Sequence, residues 1–309
     1  GFEDTVFTTT VVTPGVGDAT VLERINANLV AVGTTVLTGG AVRASSWTPG
    51  DSVDLLPFPP GFTRSTARYV NSAGTIVGRA FTDSSNSTPM RIVGGAAETL
   101  DWTSVSSTGE AQVVNDAGVI GGVAFGTTTS TLVRRNVDST LSTQGPFNTP
   151  VCNSINAAGT IVGSIVTNVG TGAGEAYFWS GSTFTTFSAP GFTFADARDI
   201  NTAGVIVGRA GRFSEVGRAF VRDTSGTVTL LPNPTGFTNA WATCINDDGI
   251  IGGYVADASG NNPEAVMWVD GQPYLLSGNT TVPTGFTLTF VQDITNNGDF
   301  LVTVTDGTD

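Results

Sequence analysis

Histidine and lysine are absent from this 309-residue sequence, which also holds only two cysteines, Cys152 and Cys244. Without His there is no Ser-His-Asp or Cys-His catalysis and no His-ligated metal. Without Lys there is no Schiff-base chemistry and no phosphate-loop lysine. Two cysteines are too few for a disulfide framework. Charged residues make up 13%, and all 13 cations are Arg against 26 Asp and Glu, a net charge of −13. Such acidity excludes the basic patches that nucleic acid or an anionic membrane surface requires. No apolar run approaches the roughly 18 residues of a membrane-spanning helix.

Glycine and threonine are abundant instead, with 40 Gly and 48 Thr. High Thr, Gly and Ser with little charge suit a secreted surface protein. The sequence begins at Gly1, as expected of a mature, processed extracellular chain. One nine-residue phrase recurs: an aliphatic residue, Asn, then Gly at the fifth and ninth places. It runs from Val70 to Gly78, Val114 to Gly122, Ile155 to Gly163, Ile200 to Gly208 and Ile245 to Gly253. Degenerate copies flank these, Ile25 to Gly33 with Leu29 at the fifth place and Ile294 to Val302 with Thr295 for Asn. Positions 26, 71, 115, 156, 201, 246 and 295 are therefore separated by 45, 44, 41, 45, 45 and 49 residues.

The phrase has the chemistry of a β-hairpin. An Asn side chain bonds backbone amides ahead of it, and Gly three residues later supplies the left-handed position of a short loop. The predicted structural turn residues are Asn26, Asn71, Gly74, Asn115, Gly118, Asn156, Gly159, Asn201, Gly204, Asn246, Gly249 and Gly298. The ninth-place Gly marks a bulge or a close backbone approach. Two further strand signals fill each period, an Ala-aromatic run such as Ala176 to Trp179 and a strand before a Pro/Gly turn such as Pro190-Gly191. Four short strands per 45 residues with no helical periodicity predict an all-β, seven-unit β-propeller of mostly four-stranded blades. Approximate blade limits in this single domain are 1–50, 51–96, 97–137, 138–182, 183–226, 227–272 and 273–309. The last unit is expected to be short by one strand.

The Asn/Gly phrase followed by an Ala-aromatic strand resembles the extracellular HAF-repeat family, over essentially the whole chain. The family's His is replaced by Glu175, Arg218 and Glu264 ahead of Ala176, Ala219 and Ala265. The resemblance implies a secreted, propeller-like protein and carries no catalytic residues.

Carboxylate chemistry of the glycosidase kind is the remaining catalytic option. Its only adjacent pair of note, Asp247-Asp248, sits in a repeat turn, where Asp is an ordinary turn residue. The stretch Asp293 to Asp299 resembles the start of a calcium loop, but Val304 stands where a bidentate Glu is needed. No enzyme activity, metal or cofactor is therefore expected. Cys152 and Cys244 are expected to be buried free thiols. Trp47, Trp102, Trp179, Trp241 and Trp268 suit packing between blades better than a glycan-stacking surface. Asn86 and Asn279 head glycosylation acceptor patterns.

The expected function is a non-enzymatic structural or interaction propeller at the cell surface, acting through protein–protein contacts. Those contacts include copies of itself, because a short last unit leaves a strand edge unpaired. The predicted assembly strands carry Val6, Phe7, Val11 and Val12 at the N-terminus and Phe300, Val302 and Val304 at the C-terminus. A glycan-binding, lectin-like propeller is the alternative reading.

Overall fold

A computed structural model describes residues 19–82, 86–212, 215–278, 282 and 284–305. The chain folds into antiparallel sheets arranged as a β-propeller. The first sheet contains β1 (Ala19–Ile25), β2 (Ala31–Val36), β3 (Val42–Trp47) and β4 (Asp54–Leu55). The second contains β5 (Arg64–Val70), β6 (Ile76–Phe81), β7 (Ser87–Val93) and β8 (Ala96–Thr99). A seven-stranded sheet follows, made of β9 (Gly109–Val114), β10 (Ile120–Ala124), β11 (Ser130–Arg135), β12 (Leu141–Ile155), β13 (Ile161–Asn168), β14 (Ala173–Ser180) and β15 (Thr183–Phe187). Two more four-stranded sheets comprise β16 (Ala195–Ile200), β17 (Ile206–Ala210), β18 (Arg218–Arg222) and β19 (Val228–Leu230), then β20 (Asn239–Ile245), β21 (Ile251–Ala256), β22 (Glu264–Val269) and β23 (Gln272–Leu275). A hairpin of β24 (Thr287–Ile294) and β25 (Phe300–Thr305) ends the described chain. The only helical element among the described residues is a single 3-10 turn at Leu276–Gly278.

Two expectations need correction. Four sheets have the four strands of a blade, not seven. The exception arises at the shortest repeat spacing, 41 residues between Asn115 and Asn156. Elsewhere a loop separates the outer strand of one sheet from the inner strand of the next. Here β12 continues through Gly145-Pro146, pairing with β11 up to Phe147 and with β13 from Asn148. Among the described residues the last sheet has two strands, where three were expected. The N-terminal residues Val6, Phe7, Val11 and Val12, expected in a strand that could complete it, lie outside the described residues.

The core lies between successive sheets. Val32 and Ala44 of the first sheet pack with Ala67, Val70, Ile76, Ala80, Met90 and Ile92 of the second. Trp102, Trp179 and Trp268 are fully buried, which is packing and not a stacking surface. Leu301 of β25 packs back against Leu22, Ala31, Trp47 and Val53 of the first sheet, so the last hairpin meets the first. No helix among the described residues is long and apolar enough to cross a membrane.

Candidate functional site at the propeller axis

Seven hairpins carry the repeated phrase: β1–β2, β5–β6, β9–β10, β12–β13, β16–β17, β20–β21 and β24–β25. In the first five turns an Asn does two jobs. Asn71 Oδ1 accepts from Thr75 N at 2.8 Å, closing its own loop, and Asn71 Nδ2 donates to Asn115 O at 3.0 Å, tying it to the next hairpin. Asn26, Asn115, Asn156 and Asn201 repeat both bonds, each linked to the Asn of the following hairpin. The ladder stops at Asn246, whose Nδ2 is buried without a partner; Thr295 stands at the next turn. Gly74, Gly118, Gly159, Gly204, Gly249 and Gly298 all adopt positive φ in these loops, and Leu29 takes that conformation at φ 60 in the first.

Each inner strand bulges three residues before the turn Asn, or before Thr295 in the last hairpin. The bulge presses the carbonyl two residues earlier onto the ninth-place Gly. A Cβ on Gly78 would lie 1.9 Å from Thr66 O, and the other five Gly copies are equally crowded. The bulged residues are Glu23, Arg68, Gln112, Asn153, Arg198, Thr243 and Gln292, all polar. All but Thr243 are half-buried.

One residue nearer the turns the axis is sealed. Arg24 of the first hairpin donates through Nη2 to Asn153 O of the fourth at 2.7 Å and through Nη1 to Asp293 Oδ1 of the seventh at 3.4 Å. Its guanidinium lies 5.2 Å over the Tyr69 ring, and Tyr69 Oη meets Ser154 Oγ at 3.3 Å. Bonds that skip hairpins in this way span the middle of the ring. Asp293 Oδ2 accepts from Ile25 N at 2.9 Å and Asp199 Oδ2 from Ile245 N at 2.8 Å. Burial pushes the Asp293 carboxyl up to about 6 against the pull of Arg24, and it raises Asp199 too. Burial opposes the Arg24 charge, but the fields of Asp293, Tyr69 and Asp199 outweigh it and keep the guanidinium protonated.

Away from the turns, at the bulges and beyond, the axis holds two arginine clusters. Arg68 and Arg79 share Glu110, Nε to Oε1 at 3.0 and 3.5 Å, and Arg68 Nη1 also reaches Glu23 at 3.0 Å. Three hairpins on, Arg198 and Arg209 occupy the positions equivalent to Arg68 and Arg79, but they share Asp196 of their own hairpin, at 3.5 Å each. The Arg209 guanidinium sits 4.6 Å over Trp241, and Trp241, Tyr254 and Phe290 follow with ring centroids 4.7 Å apart at each step.

None of these axial residues carries a motif. The single sequence signal is their fixed offset from the turn Asn. Asp247 is a turn residue, accepting from Thr202 N at 2.8 Å and bonded to Asn296. Asp293 faces Arg24 instead of a metal site. Cys152 and Cys244 are buried free thiols, and burial pushes Cys152 up to about 12. Asn86 is exposed, whereas Asn279 lies outside the described residues.

The fold is that of a β-propeller. The propeller domain of the Trilobed protease from Pyrococcus furiosus, described as having an open velcro topology, superposes with a TM-score of 0.58 at 11% identity over 94% of this chain and 96% of that one. Streptogramin B lyase gives 0.54 at 12% identity over 88% and 89% of the two chains. TolB from Acinetobacter baumannii gives 0.51 at 10% over 78% of this propeller, which spans only 61% of TolB. No family model matches the sequence and no curated protein is similar to it.

Proposed function

We propose that this propeller is a non-enzymatic, extracellular interaction protein that assembles with copies of itself through β25. In this reading its seven hairpins are seven positions of one ring, and it is a divergent relative of the HAF-repeat proteins. The observation that carries it is the two-stranded last sheet. Among the described residues no second strand pairs with the outer edge of β25. Strand edges template pairing with a further strand unless they are charged, bulged or covered. The edge sequence Leu301-Val302-Thr303-Val304 has no charge and three β-branched residues. Phe300, Val302 and Val304 are partly buried against the sixth and seventh hairpins, so the edge is held in strand form.

The donor in this proposal is the N-terminal segment Thr5 to Thr13 of a second copy, rich in Val and Thr and free of Gly and Pro. Donation from copy to copy is head-to-tail and builds a filament. Light scattering on the full chain, on a variant lacking residues 1–13 and on Thr303→Pro tests this. Concentration-dependent growth of the full chain, lost in both variants, is expected. A full chain that stays monomeric at high concentration, or variants that assemble equally well, overturns it.

A further inference from the structure

We infer that the cleft beside Arg218, between the start of β18 and the loop leading into β20, binds a small aromatic carboxylate, a single ring carrying one carboxyl group. This goes beyond the assembly reading and does not depend on it.

The first sheet shows what fills the equivalent place. After β4 the chain reads Leu56-Pro57-Phe58-Pro59-Pro60-Gly61-Phe62, and after β19 it reads Leu231-Pro232-Asn233-Pro234-Thr235-Gly236-Phe237. The two loops are equal in length and are held by the same bonds. Leu56 N donates to Ala44 O at 2.8 Å and Leu231 N to Ala219 O at 2.9 Å. Phe62 N donates to Pro59 O at 3.3 Å and Phe237 N to Pro234 O at 3.2 Å. Arg43 Nη2 donates to Leu56 O at 2.8 Å and Arg218 Nη2 to Leu231 O at 3.0 Å. One side chain separates the two arrangements. The Phe58 ring lies 4.5 Å from the Arg43 guanidinium, whereas Asn233 takes that position in the loop beside Arg218. Asn233 turns to its own loop, Nδ2 donating to Phe237 O at 3.3 Å. An open cleft of about 590 Å³ lies here, lined by Phe192, Val216, Arg218, Asn233, Phe237 and Thr238.

The lining specifies the ligand. Phe192 and Phe237 are half-buried and Val216 is 48% exposed, which gives the cleft apolar walls. Arg218 is the only charged residue lining it. Among the described residues no carboxylate pairs with Arg218, no ring covers it and its Nη1 makes no hydrogen bond. Glu215, the acid nearest to it in sequence, pairs with Arg212 at 3.9 Å. A guanidinium in this state takes the face of an aromatic ring, as Arg43 takes Phe58. A carboxyl group on that ring would meet Nη1 in a charge-assisted hydrogen bond. Apolar walls with one placed cation are the ordinary make-up of a small-molecule site.

Ligand-observed NMR titration of the full chain with phenylacetate, phenylethanol and cyclohexylacetate tests the proposal. Phenylacetate is expected to bind with a Kd of about 1 mM. Phenylethanol, which lacks the charge, should bind roughly tenfold more weakly, and cyclohexylacetate, which lacks the π face, roughly threefold more weakly. Asn233→Phe restores the arrangement of the first sheet and should abolish binding with the thermal midpoint kept. Arg218→Gln should weaken phenylacetate roughly tenfold. No binding of phenylacetate overturns the site. Equal binding of phenylethanol overturns the carboxylate, and equal binding of cyclohexylacetate overturns the aromatic ring. Unchanged affinity in a folded Asn233→Phe or Arg218→Gln protein places the ligand elsewhere and overturns the cleft.

Discussion

Arg24 and Asn153 are 129 positions apart in sequence and meet at 2.7 Å, guanidinium to backbone carbonyl, in the middle of the propeller. The same guanidinium reaches Asp293, 269 positions away, whose other oxygen receives the Ile25 amide. One side chain near the start of the described chain thus ties the first hairpin to the fourth and the seventh. The first and last sheets share no strand among the described residues; Arg24 and Ile25 on Asp293 and the Leu301 packing join them there.

Replacing Arg24 with Met keeps most of the volume and removes the charge. Asp199 and Asp293 are then left buried with no cation beside them. Breaking a buried pair from one side costs about 3–5 kcal/mol, relieved in part by protonation of the acids. Urea unfolding of Arg24→Met should show a loss of roughly 3 kcal/mol at neutral pH and a smaller loss at pH 5. A change within experimental scatter at both pH values would show that the ring does not depend on this plug.

Stability should depend on pH through Asp293. Its carboxyl titrates near 6 in the folded protein against 3.8 ordinarily, so between those values the folded state holds a proton that the unfolded chain has released. Stability therefore falls as pH rises from about 4 through 6 and levels off above. Asp199, also raised by burial, acts in the same direction. Asp101, Asp138, Asp223 and Asp257 have carboxyls lowered mainly by local hydrogen bonds, and they take stability away only as the pH drops below about 4. The thermal midpoint should be higher at pH 5 than at pH 7.5, with the difference reduced in Asp293→Asn. A lower midpoint at pH 5 would contradict the burial of these carboxyls.

The turn asparagines should be unequal. Asn71→Ala loses the bond to Thr75 N and the tie to Asn115 O, about 1–2 kcal/mol in all. Asn246→Ala loses its bond to Ile250 N but also removes a buried amide that has no partner, so it should cost less than Asn71→Ala. Paired denaturation curves decide this, and equal losses would mean that the link between hairpins adds nothing.

Much of the architecture is visible in nine residues. Asn71, Gly74 and Gly78 act on neighbours within their own hairpin, closing a loop and accepting a bulge, so their spacing alone predicts strand–turn–strand. The all-β class and the propeller arrangement follow from that period repeated along the chain. The fused β12 is visible only afterwards, as the shortest spacing, 41, with Gly145-Pro146 taken into the strand and no loop around it. The axial site is a different matter. Glu110 sits beside Arg68 and Arg79 of the preceding hairpin and Arg24 beside Asp293 of the last, pairings that only the packing of hairpin on hairpin creates, whereas Asp196 meets Arg198 and Arg209 within one hairpin. Local hydrogen bonding writes its requirements into adjacent residues, so the sequence by itself determined the hairpins and their repetition. Convergence at an axis brings residues from distant hairpins together through sheet packing, and no short stretch of chain records it. The buried charge plug at Arg24 and the Arg68–Glu110 pair were therefore decided by the tertiary structure alone.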